Sequence, residues 1–150
     1  ATGSRAWPQP GIPLDGRRVF DSDSVNKLSY LPKSVVITGS GIIAIEFARI
    51  FAALAAQVTL LVRGPSLGRC LERFGMDGAF AEDVQASLEG CGIAIRFETE
   101  VVPDSFFVPQ SLSAPLSLDV RTSPKGGRPR TETLECDAYM LAAGRDACTA

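Results

Sequence analysis

The chain has 150 residues, of which 45% are hydrophobic and 21% are charged, and its formal net charge is −2. This size and composition predict an ordinary soluble globular domain with a core of its own. The small negative charge argues against non-specific nucleic-acid binding, because neutralising many phosphates requires an excess of lysine and arginine. We therefore expect no nucleic-acid partner, and any anion site must be local.

The chain contains no histidine, and its four cysteines lie far apart in the sequence. These two facts exclude a Cys/His zinc site, a Ser-His-Asp triad and a Cys-His pair. We predict no metal site and no catalytic residue, and the simplest interpretation of the thiols is that they are buried or idle. Glu46 and Arg49 interrupt the longest apolar segment before it reaches the roughly 20 residues of a membrane span, so we expect no membrane contact.

The two ends of the sequence are abrupt. The first residues, ATGSRAWPQPGIP, have no initiator Met and no charged segment followed by an apolar one, so a signal peptide is not predicted. The last residues are GRDACTA. We expect the chain to belong to something longer.

Residues 1–32 are rich in proline and glycine and show little periodicity. They are predicted to form an extended connector, with a short strand at Val19-Phe20 and one helical stretch within Asp21 to Leu28. From Lys33 onwards the pattern becomes regular.

Two buried strands flank an apolar helix in the next part of the chain. The β-branched run SVVIT predicts a strand at Ser34 to Thr38, and QVTLLV predicts a second at Gln57 to Val62. Between them, Ile42 to Ala56 has too few polar residues for an exposed helix, so we expect that helix to lie against a sheet.

A second helix and a third strand follow. Asp77 is placed to cap a helix that runs to about Glu89, and Ile93 to Phe97 predicts the strand. This alternation of strands and helices is typical of a parallel sheet with crossover helices.

The remaining segments predict a different arrangement. Leu116 to Arg121 and Thr131 to Cys136 alternate apolar and polar residues around a glycine-rich turn, which predicts an antiparallel hairpin or meander. Ala138 to Gly144 is a buried strand that we expect to return to the main sheet. The predicted fold class is therefore α/β, a Rossmann-like parallel sheet with an additional antiparallel β-meander.

A glycine motif marks the junction between the first strand and the first helix. Gly39-Ser40-Gly41-Ile42-Ile43-Ala44 matches the dinucleotide fingerprint G-x-G-x-x-G/A. Gly39 permits a tight turn, Gly41 lets the backbone approach a pyrophosphate, and Ala44 is small enough for close packing of helix and strand. The alternative is that these small residues serve only helix packing.

The second strand bears on the choice of coenzyme. An NAD site uses an acidic residue near the end of this strand, and none is present before Glu72. Arg63 and Arg69 follow the strand instead, and guanidinium groups suit a 2'-phosphate. The alternative is that both arginines are solvated loop residues.

Glu46 lies one helical turn after Ile42, on the face that begins at the pyrophosphate end of the helix. A lone buried carboxylate is costly. Either it is paired with a cation such as Arg49, or it opens into the ligand crevice.

Three segments, ATGSR, GSGIIAIEFARIFAALAAQVTLLVR and DAYMLAAGR, resemble in order and separation the nicotinamide-nucleotide domain of the FAD-dependent pyridine nucleotide-disulfide oxidoreductases. The resemblance implies that residues 1–32 connect from an FAD domain, residues 33–144 bind the nucleotide, and residues 145–150 return to the FAD domain. It also implies that the parent chain contains an FAD domain with bound FAD, which is the partner of this domain. The parent is expected to be a homodimer and to be cytoplasmic or organellar.

The resemblance assigns roles to several residues. It implies that Glu46 lies near the nicotinamide carboxamide and that Ala143 and Gly144 pass beside the nicotinamide ribose. Arg63, Arg69 and the final alanine of the fingerprint are similar to NADP-using members, so NADP(H) is favoured over NAD(H). One departure concerns the first helix, where Ala55 stands in place of a helix-ending glycine.

The resulting hypothesis is an NADP(H)-binding domain that presents NADPH to the flavin of a larger oxidoreductase and is inactive in isolation. One alternative is a stand-alone NAD(P)-sensing module without flavin. A single-domain reductase without flavin is a third, although a Tyr-x-x-x-Lys pair is absent.

Overall fold

The computed structural model of the protein describes residues 2–149. Its strands, numbered along the chain, are β1 (Ser4–Ala6), β2 (Val19–Asp21), β3 (Ser34–Thr38), β4 (Gln57–Leu61), β5 (Ala94–Arg96), β6 (Thr99–Val101), β7 (Leu116–Thr122), β8 (Arg130–Cys136), β9 (Ala138–Leu141) and β10 (Arg145–Ala147). Its α-helices are α1 (Ile42–Ala53), α2 (Leu67–Leu71) and α3 (Gly78–Gly90), and short 3-10 helices span Val25–Lys27 and Glu72–Phe74.

A five-stranded sheet forms the centre of the molecule, in the order β2-β9-β3-β4-β5, and every neighbouring pair is parallel. The central strand β3 pairs on one side with β4 and on the other with β9. Strand β9 therefore returns to the main sheet, as its apolar sequence predicts. All five strands point the same way, so their carboxyl ends lie at one edge of the sheet.

The two faces of this sheet are covered by different elements. In β3, Val35 and Ile37 pack in the cluster that includes helix residues such as Phe51, whereas Val36 packs in the cluster formed with the meander. This alternation follows from the period of two along a strand. Both faces of the strand are buried, which explains its β-branched, apolar sequence. Removing each large aliphatic side chain from water stabilises the fold by about 1.5–3 kcal/mol.

The meander consists of β6, β7 and β8, paired antiparallel in that order. In β7, Leu116, Leu118 and Val120 are buried against the sheet. The predicted α/β fold with an added antiparallel meander is confirmed.

A separate two-stranded ribbon joins the first and last strands, because β1 pairs antiparallel with β10. The guanidinium of Arg145 fixes this ribbon by donating to the Ser4 hydroxyl and carbonyl and to the Asp23 carboxylate. We term this pair the terminal ribbon. Its pairing joins residues more than a hundred positions apart, so no local pattern predicts it.

Several element boundaries differ from the sequence predictions. Helix α1 ends at Ala53 rather than Ala56, and Ala55 then adopts a left-handed φ of 63°. The helical stretch predicted within Asp21 to Leu28 is only a 3-10 turn at Val25–Lys27, and the strand predicted to reach Gly144 ends at Leu141. Within segment 1–32, the strand predicted at Val19-Phe20 is confirmed as β2, which joins the main sheet.

Arg18 is a buried charged residue at the opposite edge of the sheet, with an exposed fraction of 1%. Its guanidinium donates to the carbonyl oxygens of Asp137, Pro109 and Ser111 at 3.0, 3.0 and 3.1 Å. A buried cation requires such acceptors. Arg18 therefore ties the loop that precedes the meander strand β7 to the start of β9.

Candidate functional site

The glycine turn, residues Gly39 to Gly41, leaves the carboxyl end of β3. Gly39 has a φ of 144°, and a Cβ at this position would overlap the carbonyl oxygen of Ala142. Its own N–H donates to the Leu61 carbonyl at 3.1 Å. The turn is thus held between the ends of two neighbouring strands, and only glycine fits its first position.

The turn ends at the amino terminus of α1. Gly41 is the N-cap residue, with extended backbone and no side chain to cap the helix. In the described chain, no hydrogen bond is formed by the first three helical N–H groups, those of Ile42, Ile43 and Ala44. Such unpaired amides at the positive end of a helix form an anion site. Ala44 is fully buried, so its methyl packs inside the helix–sheet contact.

The segment that follows β9 lies beside the glycine turn. Ala142 donates from its N–H to the Thr38 carbonyl at 2.8 Å, and Gly144, with a φ of 143°, accepts from Trp7 N–H. Ala143 and Gly144 are exposed. The parallel pairing of β3 with β9 therefore brings these two predicted residues to the same edge as the fingerprint.

A buried tyrosine forms a hydrogen bond to the last residue of β3, next to the glycine turn. The Tyr139 hydroxyl donates to the Thr38 hydroxyl at 2.8 Å, and burial raises the pKa of Tyr139 above its ordinary value. Tyr139 thus stays a neutral donor that fixes the end of β3 immediately before the turn.

Arg63 and Arg69 both follow β4 at this edge. Each is exposed, and neither forms an ion pair within residues 2–149. Arg69 lies in α2, whose N-cap Ser66 accepts from the Arg69 N–H at 3.2 Å. Both guanidiniums are accordingly available to an anion that reaches past the glycine turn.

Glu46 lies on the exposed side of α1. It makes no ion pair with Arg49 in the part of the chain that the structure describes. Ile42, one turn earlier, is 49% exposed. The helix is buried on one side only, and this side chain pair lies on its open side.

Sequence reasoning missed two residues at the turn. Arg73 donates from Nη2 to the Ser40 hydroxyl at 3.1 Å, and its guanidinium carbon lies 5.0 Å from the centre of the Phe74 ring. The same ring would be 3.8 Å from a Cβ placed on Gly41. The sequence offers no local signal for these contacts, since they depend on how the loop after α2 folds back.

The cysteine thiols and the acidic side chains form neither a disulfide nor a metal-binding cluster in the described part of the chain. Cys70 and Cys136 are buried, and burial raises the pKa of Cys136 to about 12. Cys91 and Cys148 are exposed. No cluster of metal-binding side chains is found among residues 2–149. Nor is any helix in this range long and apolar enough to cross a bilayer.

A parallel sheet with a glycine turn and free helix amides at its carboxyl edge defines a dinucleotide-binding fold. The sequence profile of the family described as pyridine nucleotide-disulphide oxidoreductase matches residues 1–150. The chain belongs to this family of oxidoreductases, and the family resemblance stated from its sequence is confirmed.

Individual relatives agree with this assignment. The dihydrolipoyl dehydrogenase 3 of Pseudomonas aeruginosa is 34% identical over 147 residues, which are 97% of this chain and 28% of that protein. The HOCl-induced flavoprotein disulfide reductase RclA from Escherichia coli has a TM-score of 0.75 at 27% identity, covering all of this chain and 30% of its own.

An engineered water-forming NADPH oxidase bound to NADPH superposes with a TM-score of 0.66 at 20% identity, over 95% of this chain and 29% of that one. This likeness shows the fold. The chain thus spans less than a third of the length of these relatives.

Proposed function

We propose that this chain is the NADP(H)-binding part of an FAD-dependent oxidoreductase. Its role is to bind NADPH and to present the nicotinamide for hydride transfer to a flavin held by other parts of the parent protein. In isolation it binds the coenzyme and catalyses no reaction, because the flavin that accepts the hydride is held by other parts of the parent and the cysteines of the described chain form no disulfide.

The observation that carries the proposal is the glycine turn at the start of α1. The first and last residues of the turn have no side chain, and three helix N–H groups are without acceptors in the described chain. A pyrophosphate supplies the acceptors, and its negative charge is favoured at a helix amino terminus. The residues present therefore fit the diphosphate of a dinucleotide.

The preference for NADP(H) rests on charge. No carboxylate follows β4 at the position that would accept from a ribose hydroxyl, whereas Arg63 and Arg69 are exposed and free of ion pairs within the described range. Charge-assisted hydrogen bonds to a phosphate contribute about 1.5–3 kcal/mol each. Two of them would favour the 2'-phosphorylated coenzyme.

A structural relative supports this assignment. The engineered NADPH oxidase carries five substitutions, among them one of glycine by alanine and two that introduce arginine. The intervals from that alanine to the two arginines equal those from Ala44 to Arg63 and Arg69. This match in spacing supports the proposal that Arg63 and Arg69 bind the 2'-phosphate.

At the nicotinamide end, the proposal uses the open side of α1 and the segment after β9. Glu46 accepts from the carboxamide, Ile42 contacts the ring, and Ala143 and Gly144 line the path of the ribose. Fixing both ends of the coenzyme orients its ring, and orientation is the contribution of a binding domain to hydride transfer.

We further propose the organisation of the parent. Residues 1–32 and 145–150 link the nucleotide-binding residues 33–144 to an FAD domain of the same chain. The parent is a homodimer in the cytoplasm or an organelle. The flavoprotein reductase among the structural relatives supports an FAD domain, and the paired strands β1 and β10 are consistent with two adjacent linkers.

The test is calorimetric titration of the chain with NADPH and NADH. We expect NADPH to bind at least about tenfold tighter, in line with one charge-assisted hydrogen bond or more. The double variant Arg63→Ala, Arg69→Ala should abolish the difference. A matched control, Arg17→Ala with Lys33→Ala, removes the same charge from exposed positions at the opposite edge of the sheet and should preserve it.

Equal affinities in the unaltered chain would contradict the arginine assignment alone. Absence of binding by both coenzymes would contradict the proposed function itself.

A further inference from the structure

We propose that Arg73 is a third coenzyme-binding cation, which contacts the pyrophosphate and is indifferent to the 2'-phosphate. The inference rests on the proposed function and deepens it. It assigns affinity to Arg73, whereas Arg63 and Arg69 provide selectivity.

The first observation is the contact with the turn itself. Arg73 Nη2 donates to the hydroxyl of Ser40 at 3.1 Å, and Ser40 is the middle residue of the glycine turn. A guanidinium has five N–H donors, and no other hydrogen bond of this side chain is recorded in the described chain. Arg73 can therefore keep its hydrogen bond to Ser40 and still donate another to a phosphate oxygen bound at the turn.

The second observation is the support beneath the guanidinium. Its central carbon lies 5.0 Å from the ring centre of Phe74, within the range of a cation–π contact. The ring is 53% exposed, and its tip would be 3.8 Å from a Cβ on Gly41. An aromatic ring thus borders the place where the pyrophosphate approaches the backbone.

The segment that carries both residues is anchored at the side where it begins. It follows Leu71, which is 1% exposed, and it ends at Gly75, whose left-handed φ of 75° reverses the chain. Leu71 packs in the helix-side core. The 3-10 turn Glu72–Phe74 is therefore held over the glycine turn by the core rather than by the hydrogen bond to Ser40 alone.

Charge gives Arg73 a role that the turn lacks. The helix N–H groups are neutral donors, and a pyrophosphate bears two negative charges. Arg73 makes no ion pair among residues 2–149, so its charge is not already compensated by a carboxylate. A charged donor to phosphate forms a stronger hydrogen bond than a neutral one.

The experiment compares Arg73→Gln with the unaltered chain in titrations with NADPH and with NADH. Glutamine keeps an amide donor on a polar side chain but loses the charge. We expect both dissociation constants to rise by a similar factor, about tenfold, at the low end for a charged donor because the site is exposed. The ratio of the two constants should be unchanged, and binding should become less sensitive to salt.

Two further variants define the effect. Phe74→Leu removes the ring and keeps the arginine, so both constants should rise by a smaller factor, about two- to fivefold. Arg17→Gln, at the opposite edge of the sheet, removes the same charge and should leave both constants unchanged. Thermal melts of all variants check that the fold is retained.

The outcomes separate this inference from the proposed function. If Arg73→Gln weakened the binding of NADPH alone, Arg73 would contact the 2'-phosphate and the inference would be overturned. Unchanged affinity for both coenzymes would also overturn it. If the unaltered chain bound neither coenzyme, the proposed function would fail first and the inference with it.

Discussion

Adding one methyl group to the glycine turn should mainly reduce stability at Gly39 and mainly reduce coenzyme affinity at Gly41. At Gly39 the methyl overlaps the Ala142 carbonyl, and the φ of 144° lies where residues with a side chain are strained. Backbone strain and overpacking each cost about 1–3 kcal/mol, so Gly39→Ala should destabilise the fold by about 2–6 kcal/mol. For a domain of this size, that lowers the melting temperature by about 4–24 °C.

At Gly41 the same methyl makes no overlap with the protein. The nearest atom of Phe74 would be 3.8 Å away, and the backbone, with φ of −88° and ψ of 177°, suits alanine. Alanine is a poorer N-cap than glycine, so we expect a loss of about 1 kcal/mol or less in folding free energy. The methyl nevertheless occupies the surface where the pyrophosphate approaches, so NADPH affinity should fall more than about tenfold, which corresponds to losing one or more charge-assisted contacts.

Thermal denaturation followed by circular dichroism, with calorimetric titration of the same preparations, measures both quantities. The reasoning is refuted if Gly41→Ala binds NADPH as tightly as the unaltered chain. It is also refuted if the two variants melt at the same temperature, because the Ala142 contact would then not constrain Gly39.

Two further expectations concern stability. Ala55→Gly should stabilise the chain by about 0.5–1 kcal/mol, because the left-handed φ of 63° costs about 1–2 kcal/mol in a residue with a side chain, and the greater flexibility of glycine in the unfolded chain offsets only part of this gain. Gly92→Ala, at a φ of 78° after α3 and with no neighbour within 4 Å, should destabilise the chain by a similar amount. Urea denaturation measures both changes. The Ala6 N–H and the Arg145 guanidinium hold the pKa of Asp23 below its ordinary value of 3.8. The contribution of Asp23 is therefore present above that pH and lost as the pH falls below it, so the difference in melting temperature between the unaltered chain and Asp23→Asn should shrink from pH 5 to pH 3; a constant difference would contradict this.

The sequence predicted the main sheet because its signals are local. Ser34 to Thr38 is a β-branched run that is buried on both faces, and the structure places a strand at those residues. Asp77 accepts from the Ala79 N–H at 2.8 Å, as its position before an amphipathic helix predicts. Hydrophobic periodicity and helix capping depend on residues that are close in sequence, so they can be recognised without knowledge of the fold.

The features that sequence reasoning missed depend on distant contacts. The position of Arg73 over Ser40 requires the loop after α2 to fold back, and the exposure of one side of α1 depends on which elements cover it. The apolar composition of α1 predicted burial, but apolar residues such as Ile50 remain 48% exposed. An apolar side chain favours burial without specifying what will cover it, and a partner outside these residues leaves no local pattern.

The geometry of the terminal ribbon has a mechanical consequence. Its two strands run antiparallel, with Ser4 opposite Ala147 at the outer end and Ala6 opposite Arg145 at the inner end. Tension between the two ends of the described chain would load these pairs one at a time, as in opening a zip, rather than all at once in shear. The ribbon should therefore yield under small forces while the five-stranded sheet stays intact.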